Sequence, residues 1–587
     1  MGETDQPRLA TAVTACRKVI HPMLTLLAAA CLVALVGWTG EITPSIHKAT
    51  CIAGLLFAGE RLGVFLAVCS HGRERRRLGW HAALALSVLA MTVILLSRAV
   101  PDQGPREVSG YVVIQLAVFL SGLASAVHHQ SRFIARAFHP GAVLMASFAG
   151  IILTGTLLLK MPQATVPGAA CTWLDACFTS TSAVCVTGLT VQNTASFFSL
   201  TGQTIILVLI QTGGLGIMTL TFFAAVVLFE GLSLHDRLLL GKMLSENRLA
   251  RIGRTLGFIV GMTVVCEVVG AVLLYHGLDA VADRGERWFH AVFHSVSAFC
   301  NAGFSTLPDG MASAVVSGNT TWQWCLMGLI VVGGLGSLVM EDICLWAVAK
   351  VQRIFRRETP VPRLRVHTRL VLTLTGWLIS GGAILVLTTE FLLGDGPQNG
   401  GIMMTALFHS ITARTAGFNT VPMSGVGPLT IQILMVLMFI GGSPGGTAGG
   451  VRTTVFCVGL GHLWNQMREG RRGMVVFRRT IPRETGARAL GLIVLAGLWL
   501  AVNFIILQLL QAGSGIPETT LLFELVSAFA TVGLSLDLTP ALTEGARMLI
   551  ILNMFVGRIG LLTVMATLVP PDRRPASGKP AEDILLN

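Results

Sequence analysis

The chain has 587 residues, of which 53% are apolar and 12% charged, and a formal net charge of +12. A mean hydropathy of +0.72 excludes a soluble globular domain of this length and implies an all-α polytopic membrane protein. The basic residues are scattered through short loops, which reads as a topology signal and excludes a nucleic-acid partner.

The opening residues, MGETDQPRLATAVTACRKV, are polar and run straight into a full-length apolar span, without a cleavable signal pattern. Four spanning helices are predicted first, over 22–40, 50–70, 80–99 and 110–127. The Glu60–Arg61 pair in the second of them is assigned no transport role. From residue 140 onward the pattern repeats. Pairs of spans are predicted at 141–160 and 201–230, 254–275 and 322–349, 370–393 and 428–463, and 488–511 and 544–568.

Between the members of each pair lies a segment too short to cross a bilayer. These are 178–190 (FTSTSAVCVTGLT), 293–306 (FHSVSAFCNAGFST), 408–420 (FHSITARTAGFNT) and 523–535 (FELVSAFATVGLS). Each is an apolar run with Ser or Thr and helical character, ending in a turn at Gly188, Gly303, Gly417 or Gly533. The glycines are spaced by about 115 residues, so the repeated object is a whole structural unit. Irregular backbone at membrane depth is tolerated only where protein or a water-filled cavity surrounds it. Four such loops converging on one axis present backbone carbonyls that replace an ion's water shell. Glycine gives access to the dihedrals this requires. The pattern predicts four helix–pore-loop–helix repeats around a pseudo-fourfold pore, with four extra N-terminal transmembrane helices.

Lys and Arg concentrate in 72–78, 128–138, 234–254, 350–369 and 466–488, and at both termini. With twelve alternating helices these loops share one side, which places them and both termini in the cytoplasm. The twelve cysteines include no CxxC pair; Cys171 and Cys177, in one predicted outer loop, are candidates for a bridge.

Several intramembrane features need an account. Residues 441–450 (GGSPGGTAGG) cannot sustain helical hydrogen bonding, so the helix over 428–463 is predicted to break there. Its small polar residues Gly441, Gly442, Ser443, Pro444, Gly445, Gly446, Thr447, Ala448, Gly449 and Gly450 suit a gate beside the pore, with Arg452 anchoring its end. Arg558 has no acidic neighbour at helical spacing and is expected to project below the filter and meet that loop. Glu524 is expected as a first-turn acid of the fourth pore helix. Glu341 and Asp342 are expected in packing or loop contacts, and His294 and His409 as satisfied structural histidines.

These segments, with IGGSPGGTAGGVRTT (440–454), VGRIGLLT (556–563), QTGGLGIMT (211–219), VVGGLGS (331–337) and LRVHTRLVL (364–372), resemble the Trk/Ktr/HKT cation transporter superfamily. The resemblance is nearest to its Ktr-type potassium-translocating subunits and spans roughly 140–570. It implies a four-repeat cation pore with repeats at about 140–232, 252–350, 368–464 and 487–569. Residues 1–139 carry the extra helices, and 571–587 form a cytoplasmic tail. It further implies filter stretches Val184, Cys185, Val186, Thr187, Gly188; Cys300, Asn301, Ala302, Gly303; Arg414, Thr415, Ala416, Gly417; and Ala530, Thr531, Val532, Gly533. Potassium would sit at their carbonyls. Glycine at all four positions favours potassium over sodium, whereas Cys185 stands where relatives often carry a hydroxyl residue. The resemblance also implies inward potassium uptake in a bacterial inner membrane, with sodium as a candidate coupling ion and no covalently bound cofactor. The expected partners are a second copy of the chain and a separate cytoplasmic ring of nucleotide-binding regulatory subunits. The chain has no GxxxxGK[ST] loop, no nucleophile–base pairing and no metal-spaced His/Cys set, so no enzyme activity is expected. The alternatives are a sodium-permeable or sodium-coupled relative, or a non-conducting membrane sensor.

Overall fold

The computed structural model describes residues 49–53, 55–58, 140–231, 247–278, 283–313, 316, 318–355, 362–393, 402–468 and 474–568. Of the four N-terminal spans, residues 49–53 and 55–58 are helical. The rest of 1–139, with Glu60–Arg61 and the basic segments 72–78 and 128–138, lies outside the described residues, as do 232–246, 356–361, 469–473 and the tail 571–587.

From residue 140 the chain alternates long and short helices. Helix α1 (Pro140–Leu159) precedes the short α2 (Trp173–Val184) and the long α3 (Leu200–Gly231). The order recurs in α4 (Asn247–Tyr275), α5 (Arg284–Phe299) and α6 (Thr320–Leu335), the last followed by α7 (Ser337–Phe355). It recurs again in α8 (Val366–Leu393), α9 (Ile402–Thr412) and α10 (Pro428–Phe439), with α11 (Thr453–Met467) beyond the glycine-rich loop. The last set is α12 (Arg483–Leu510), α13 (Glu518–Ala530) and α14 (Glu544–Ile559), with the short α15 (Leu561–Leu568). A two-strand hairpin, β1 (Met474–Val476) and β2 (Arg479–Ile481), joins α11 to α12 in the register Val475↔Thr480.

The surface is apolar where a soluble protein's would be polar, and the short helices carry their hydroxyls inward. Along the short helices the hydroxyls of Thr179, Ser180, Thr181, Ser182, Ser295, Ser297, Ser410, Thr412 and Ser527 are buried. The outer faces of α4, α8 and α12 expose Val264, Val265, Val268, Trp377, Ile384, Val494, Leu498 and Ile505. The interior is itself largely apolar, with Phe178, Phe293, Phe408 and Phe523 buried among these hydroxyls, and the apolar exterior is what lipid requires. Among the described residues, Gly257–Tyr275, Val366–Glu390 and Arg483–Leu510 are each long and apolar enough to cross a membrane unaided.

One device fastens three of the four short helices to the preceding long helix. Ser180 Oγ donates to the Ile152 carbonyl at 2.7 Å, Ser295 Oγ to that of Glu267 at 2.7 Å, and Ser410 Oγ to that of Ile379 at 2.8 Å. Three residues along each long helix, Gly155, Gly270 and Gly382 clear the space: a methyl there would lie 2.3–2.4 Å from the serine oxygen. The fourth repeat has Leu525 in the serine position and packs without this bond. The following long helix also approaches closely. A methyl on Gly213, Gly333 or Gly557 would meet the carbonyl oxygen of Val184, Phe299 or Phe529 at 1.8–2.0 Å.

Two long helices break where the sequence reads as continuous. The span expected over 322–349 bends by 104° between α6 and α7. Gly336 sits there at φ +88, and the N–H of Ser337 turns to the Gly445 carbonyl at 3.1 Å, so the bend serves the glycine-rich loop. The span expected over 544–568 breaks at Gly560, φ +92. Cys171 and Cys177 are free thiols, so the candidate bridge is absent.

The first and last repeats are tied by an ion pair. Arg547 Nη1 on α14 lies 3.0 Å from Asp175 Oδ1 in the first turn of α2, and Arg547 Nη2 donates to the Pro540 carbonyl at 2.8 Å. Asp175 is 4% exposed and the Arg547 side chain 19%, so removing the acid leaves the guanidinium without its counter-charge in a mostly enclosed place. Asp175→Ala is expected to lower stability by about 2 kcal/mol, read as thermal unfolding in detergent, with most of the loss recovered when Arg547→Met is added. Equal stability of the single variant and the parent would show the pair to be screened and the two repeats held by packing alone.

Candidate functional site

The four short helices point their C-termini at a common centre. Val184 and Ala530 are the last residues of α2 and α13, and Cys185 and Cys300 are the C-caps of α2 and α5. Beyond each helix the backbone turns in the same way. The residue two before the glycine is left-handed in every loop: Val186 at φ +55, Asn301 at +59, Thr415 at +81 and Thr531 at +50. The glycine itself is also at positive φ: Gly188 +94, Gly303 +72, Gly417 +76 and Gly533 +95. Left-handed backbone at β-branched Val186, Thr415 and Thr531 costs on the order of 1–3 kcal/mol each and persists only where the surroundings enforce it.

The enforcing bonds are shared by all four loops. The N–H groups of Thr187, Ala302, Ala416 and Val532 donate to the carbonyls of Ser182, Ser297, Thr412 and Ser527 at 2.7–2.9 Å. The hydroxyls of those Ser and Thr residues then hold the next residues. Ser182 and Ser527 accept from the N–H of Gly188 and Gly533 at 3.0 and 3.1 Å. Ser297 and Thr412 donate to the Phe304 and Phe418 carbonyls, both at 2.8 Å. The third loop is one residue shorter than the others yet reaches the same end point.

The loops close on one another in a ring. A methyl on Gly188 would lie 2.4 Å from the Ala302 carbonyl oxygen, one on Gly303 2.7 Å from that of Ala416, one on Gly417 2.3 Å from that of Val532, and one on Gly533 2.1 Å from that of Thr187. Each glycine thus abuts the carbonyl of the next loop, and the fourth returns to the first. A vestibule of about 280 Å³ opens over the ring, lined by the four glycines together with Thr190, Asn193, Asn419 and Asp537. Such a ring of fixed carbonyls is able to coordinate a dehydrated monovalent cation.

Against the ends of the short helices lies the glycine-rich loop, entered at the end of α10 and left at the start of α11. Thr447 Oγ1 donates to the Phe299 carbonyl at 3.4 Å, and a methyl on Gly449 would collide with Thr531 Oγ1 at 2.0 Å. Backbone bonds fix the loop to the α6–α7 break: Ser443 N–H to Gly334 O at 3.2 Å, and Thr447 N–H to Gly333 O at 3.3 Å. Arg558, 1% exposed, donates Nη1 to the Thr447 carbonyl and Nη2 to that of Gly213 at 3.4 Å. Its Nε has no partner, and among the described residues no carboxylate pairs with it. Arg452 donates to the Ala448 carbonyl and, at 3.4 Å, to that of Ser443, which fastens the loop's exit.

Other sequence expectations fare unevenly. Glu524 is not a first-turn acid: α13 starts at Glu518, just after Pro517, so Glu524 falls a turn and a half further in. There, fully buried, it accepts from Thr539 Oγ1 behind the fourth loop. Asp342 accepts from the Arg365 N–H at 2.9 Å, a loop contact at the start of α8. His294 is satisfied, by the His290 carbonyl and Ser305 Oγ at 2.7 and 2.9 Å, but His409 Nε2 is buried without a partner. Arg414 turns its side chain to a cavity of about 20 Å³ beside Thr375 and Gly442. The sequence reading passed over Glu267, although a lone acid in the apolar run TVVCEVVGAV signals it.

The sequence pattern of the family described as "TrkH: Cation transport protein" matches residues 112–574. The chain is 34% identical over 450 residues to Ktr system potassium uptake protein B of Vibrio alginolyticus, covering 76% of this chain and 94% of that one. It is also 34% identical over 462 residues to the potassium/sodium uptake protein NtpJ of Enterococcus hirae, covering 76% and 97%. The crystal structure of the potassium transporter TrkH from Vibrio parahaemolyticus shares the fold, with a TM-score of 0.59 at 17% identity over 89% of this chain and 98% of that one.

The ring predicts the behaviour of Gly188→Ser. Its Cβ has to displace the Ala302 carbonyl, so the loops spread and cation affinity falls by about tenfold or more. Thallium(I) binding to the purified, monodisperse variant measures this; affinity equal to the parent's would show that the ring is not the cation site.

Proposed function

Because the chain belongs to the TrkH family of cation transport proteins, we propose that it is a potassium uptake subunit of a multi-pass bacterial inner membrane. Potassium moves inward along the axis of the ring, shedding water in the vestibule and taking up the carbonyls of Thr187, Ala302, Ala416 and Val532 in exchange. The four repeats, about 140–232, 252–350, 368–464 and 487–569, form the pore. The observation that carries this reading is the closed ring of four glycines against four carbonyls. Two relatives whose names specify potassium uptake or potassium/sodium uptake agree with it.

Residues 441–450 and Arg558 act as the gate. The loop packs against the ends of the short helices, and Arg558 both latches the Thr447 carbonyl and sets a positive charge in the path of a cation. Both termini and the basic segments 234–254, 350–369 and 466–488 face the cytoplasm, where they meet a separate nucleotide-binding regulatory ring. The membrane unit is a homodimer. Names of the form "Ktr system" support a multi-component assembly. The second reading, sodium permeation, is favoured by the likeness to NtpJ alone.

Expression in a bacterial strain lacking its own potassium uptake systems is expected to restore growth at low potassium. In that strain Arg558→Ala is expected to raise maximal uptake by about threefold to tenfold with little change in apparent affinity, since the latch and the repelling charge are lost while the ring is untouched. Unchanged maximal uptake in correctly inserted protein would make Arg558 structural.

A further inference from the structure

Glu267 stands in the membrane-crossing stretch Gly257–Tyr275, at a position where the first and third repeats carry Ile152 and Ile379. All three offer a backbone carbonyl to a short-helix serine, but only the second repeat adds a carboxylate. Intramembrane acids persist where a partner or a function holds them. Glu267 is 9% exposed, and its Oε2 accepts from Gln211 Nε2 on α3, a helix of the first repeat, at 3.1 Å. The thiol of Cys300 points at both groups: Sγ lies 3.7 Å from Gln211 Oε1 and 4.0 Å from Glu267 Oε1. Cys300 is the C-cap of α5 and leads directly into left-handed Asn301 and then to Ala302, whose carbonyl abuts Gly188. On another side the sulfur is walled in, since a methyl on Gly214 would lie 2.6 Å from it.

We propose that Glu267, held by Gln211, is a specificity-determining positioning residue that fixes the second loop of the ring through Cys300. A thiol donor is weak on its own. What the pair supplies is a fixed acceptor wall that confines Cys300, so that the Ala302 carbonyl keeps its distance from Gly188. With the wall removed, Cys300 gains rotamers, the second loop gains freedom, and the ring becomes tolerant of a second ion size. The first, third and fourth repeats have no carboxylate at this place, so the second loop alone depends on this support.

The inference rests on the cation-conducting reading, and the experiment separates the two. In the uptake-deficient strain, with membrane protein matched by immunoblot, rubidium uptake is measured against competing potassium and sodium. Glu267→Ala and Gln211→Ala are each expected to lower potassium-over-sodium discrimination by about tenfold, the scale on which outer groups tune the ligands they orient. Glu267→Gln keeps an acceptor toward Cys300 at the same length and is expected to stay within about twofold of the parent. Gln211→Ala keeps the test open should Glu267→Ala fail to insert. Discrimination unchanged in the alanine variants overturns the inference while leaving conduction intact. A Glu267→Gln variant as indiscriminate as Glu267→Ala overturns it as well, because charge and not position would then be the cause. A parent chain that moves neither ion would refute conduction itself.

Discussion

The structure depends on a contact that leaves no room for a side chain: four glycine Cα atoms, each pressed against the carbonyl of the neighbouring loop. Carbonyl oxygens that converge on one site repel one another, so such a ring stands only where the rest of the fold holds it. Much of the surrounding packing opposes that repulsion. Equivalent backbone bonds in the four loops, from Thr187, Ala302, Ala416 and Val532 to the ends of the short helices, hold the left-handed turns in place. The serine hydroxyls on Ile152, Glu267 and Ile379 hold the helices themselves. The Asp175–Arg547 pair joins the first repeat to the last.

The same logic explains why glycine recurs far from the ring. Gly155, Gly270 and Gly382 admit the serines, while Gly213, Gly333 and Gly557 admit the helix ends. The third repeat departs from this scheme: its second long helix dissolves into the loop 441–450, and the freed backbone groups bond to Gly333, Gly334 and Ser337 of the second repeat. In the fourth repeat Arg558 follows Gly557 as Gly214 follows Gly213 and Gly334 follows Gly333. A guanidinium fits there because the third repeat supplies a carbonyl, that of Thr447, to receive it. The departures in these two repeats are complementary.

The four short helices and their turns were legible because each carries a Phe, a Ser or Thr four residues on, and a glycine five or six residues beyond that. The break at 441–450 was legible from proline and clustered glycine. The 104° bend at Gly336 was not, since the same GGLG run at 213–216 stays helical in α3, and the conformation of Gly336 is set by the distant Pro444–Gly446 backbone. Nor were the left-handed turns at Val186, Thr415 and Thr531, whose residue types argue against positive φ. Tertiary bonds decide them. Glu524 was misplaced by the boundary of one helix, and the pairing of Asp175 with Arg547 spans 372 residues, beyond the reach of any local pattern.

The central claim is that the four carbonyls form one cation site on a common axis. Crystals grown in rubidium or thallium(I) salts test it by anomalous scattering from the ion. The account predicts a peak on the axis shared by the carbonyls of Thr187, Ala302, Ala416 and Val532, displaced when sodium replaces the heavier ion. Ordered ions elsewhere in the protein, with none inside this ring, would contradict it.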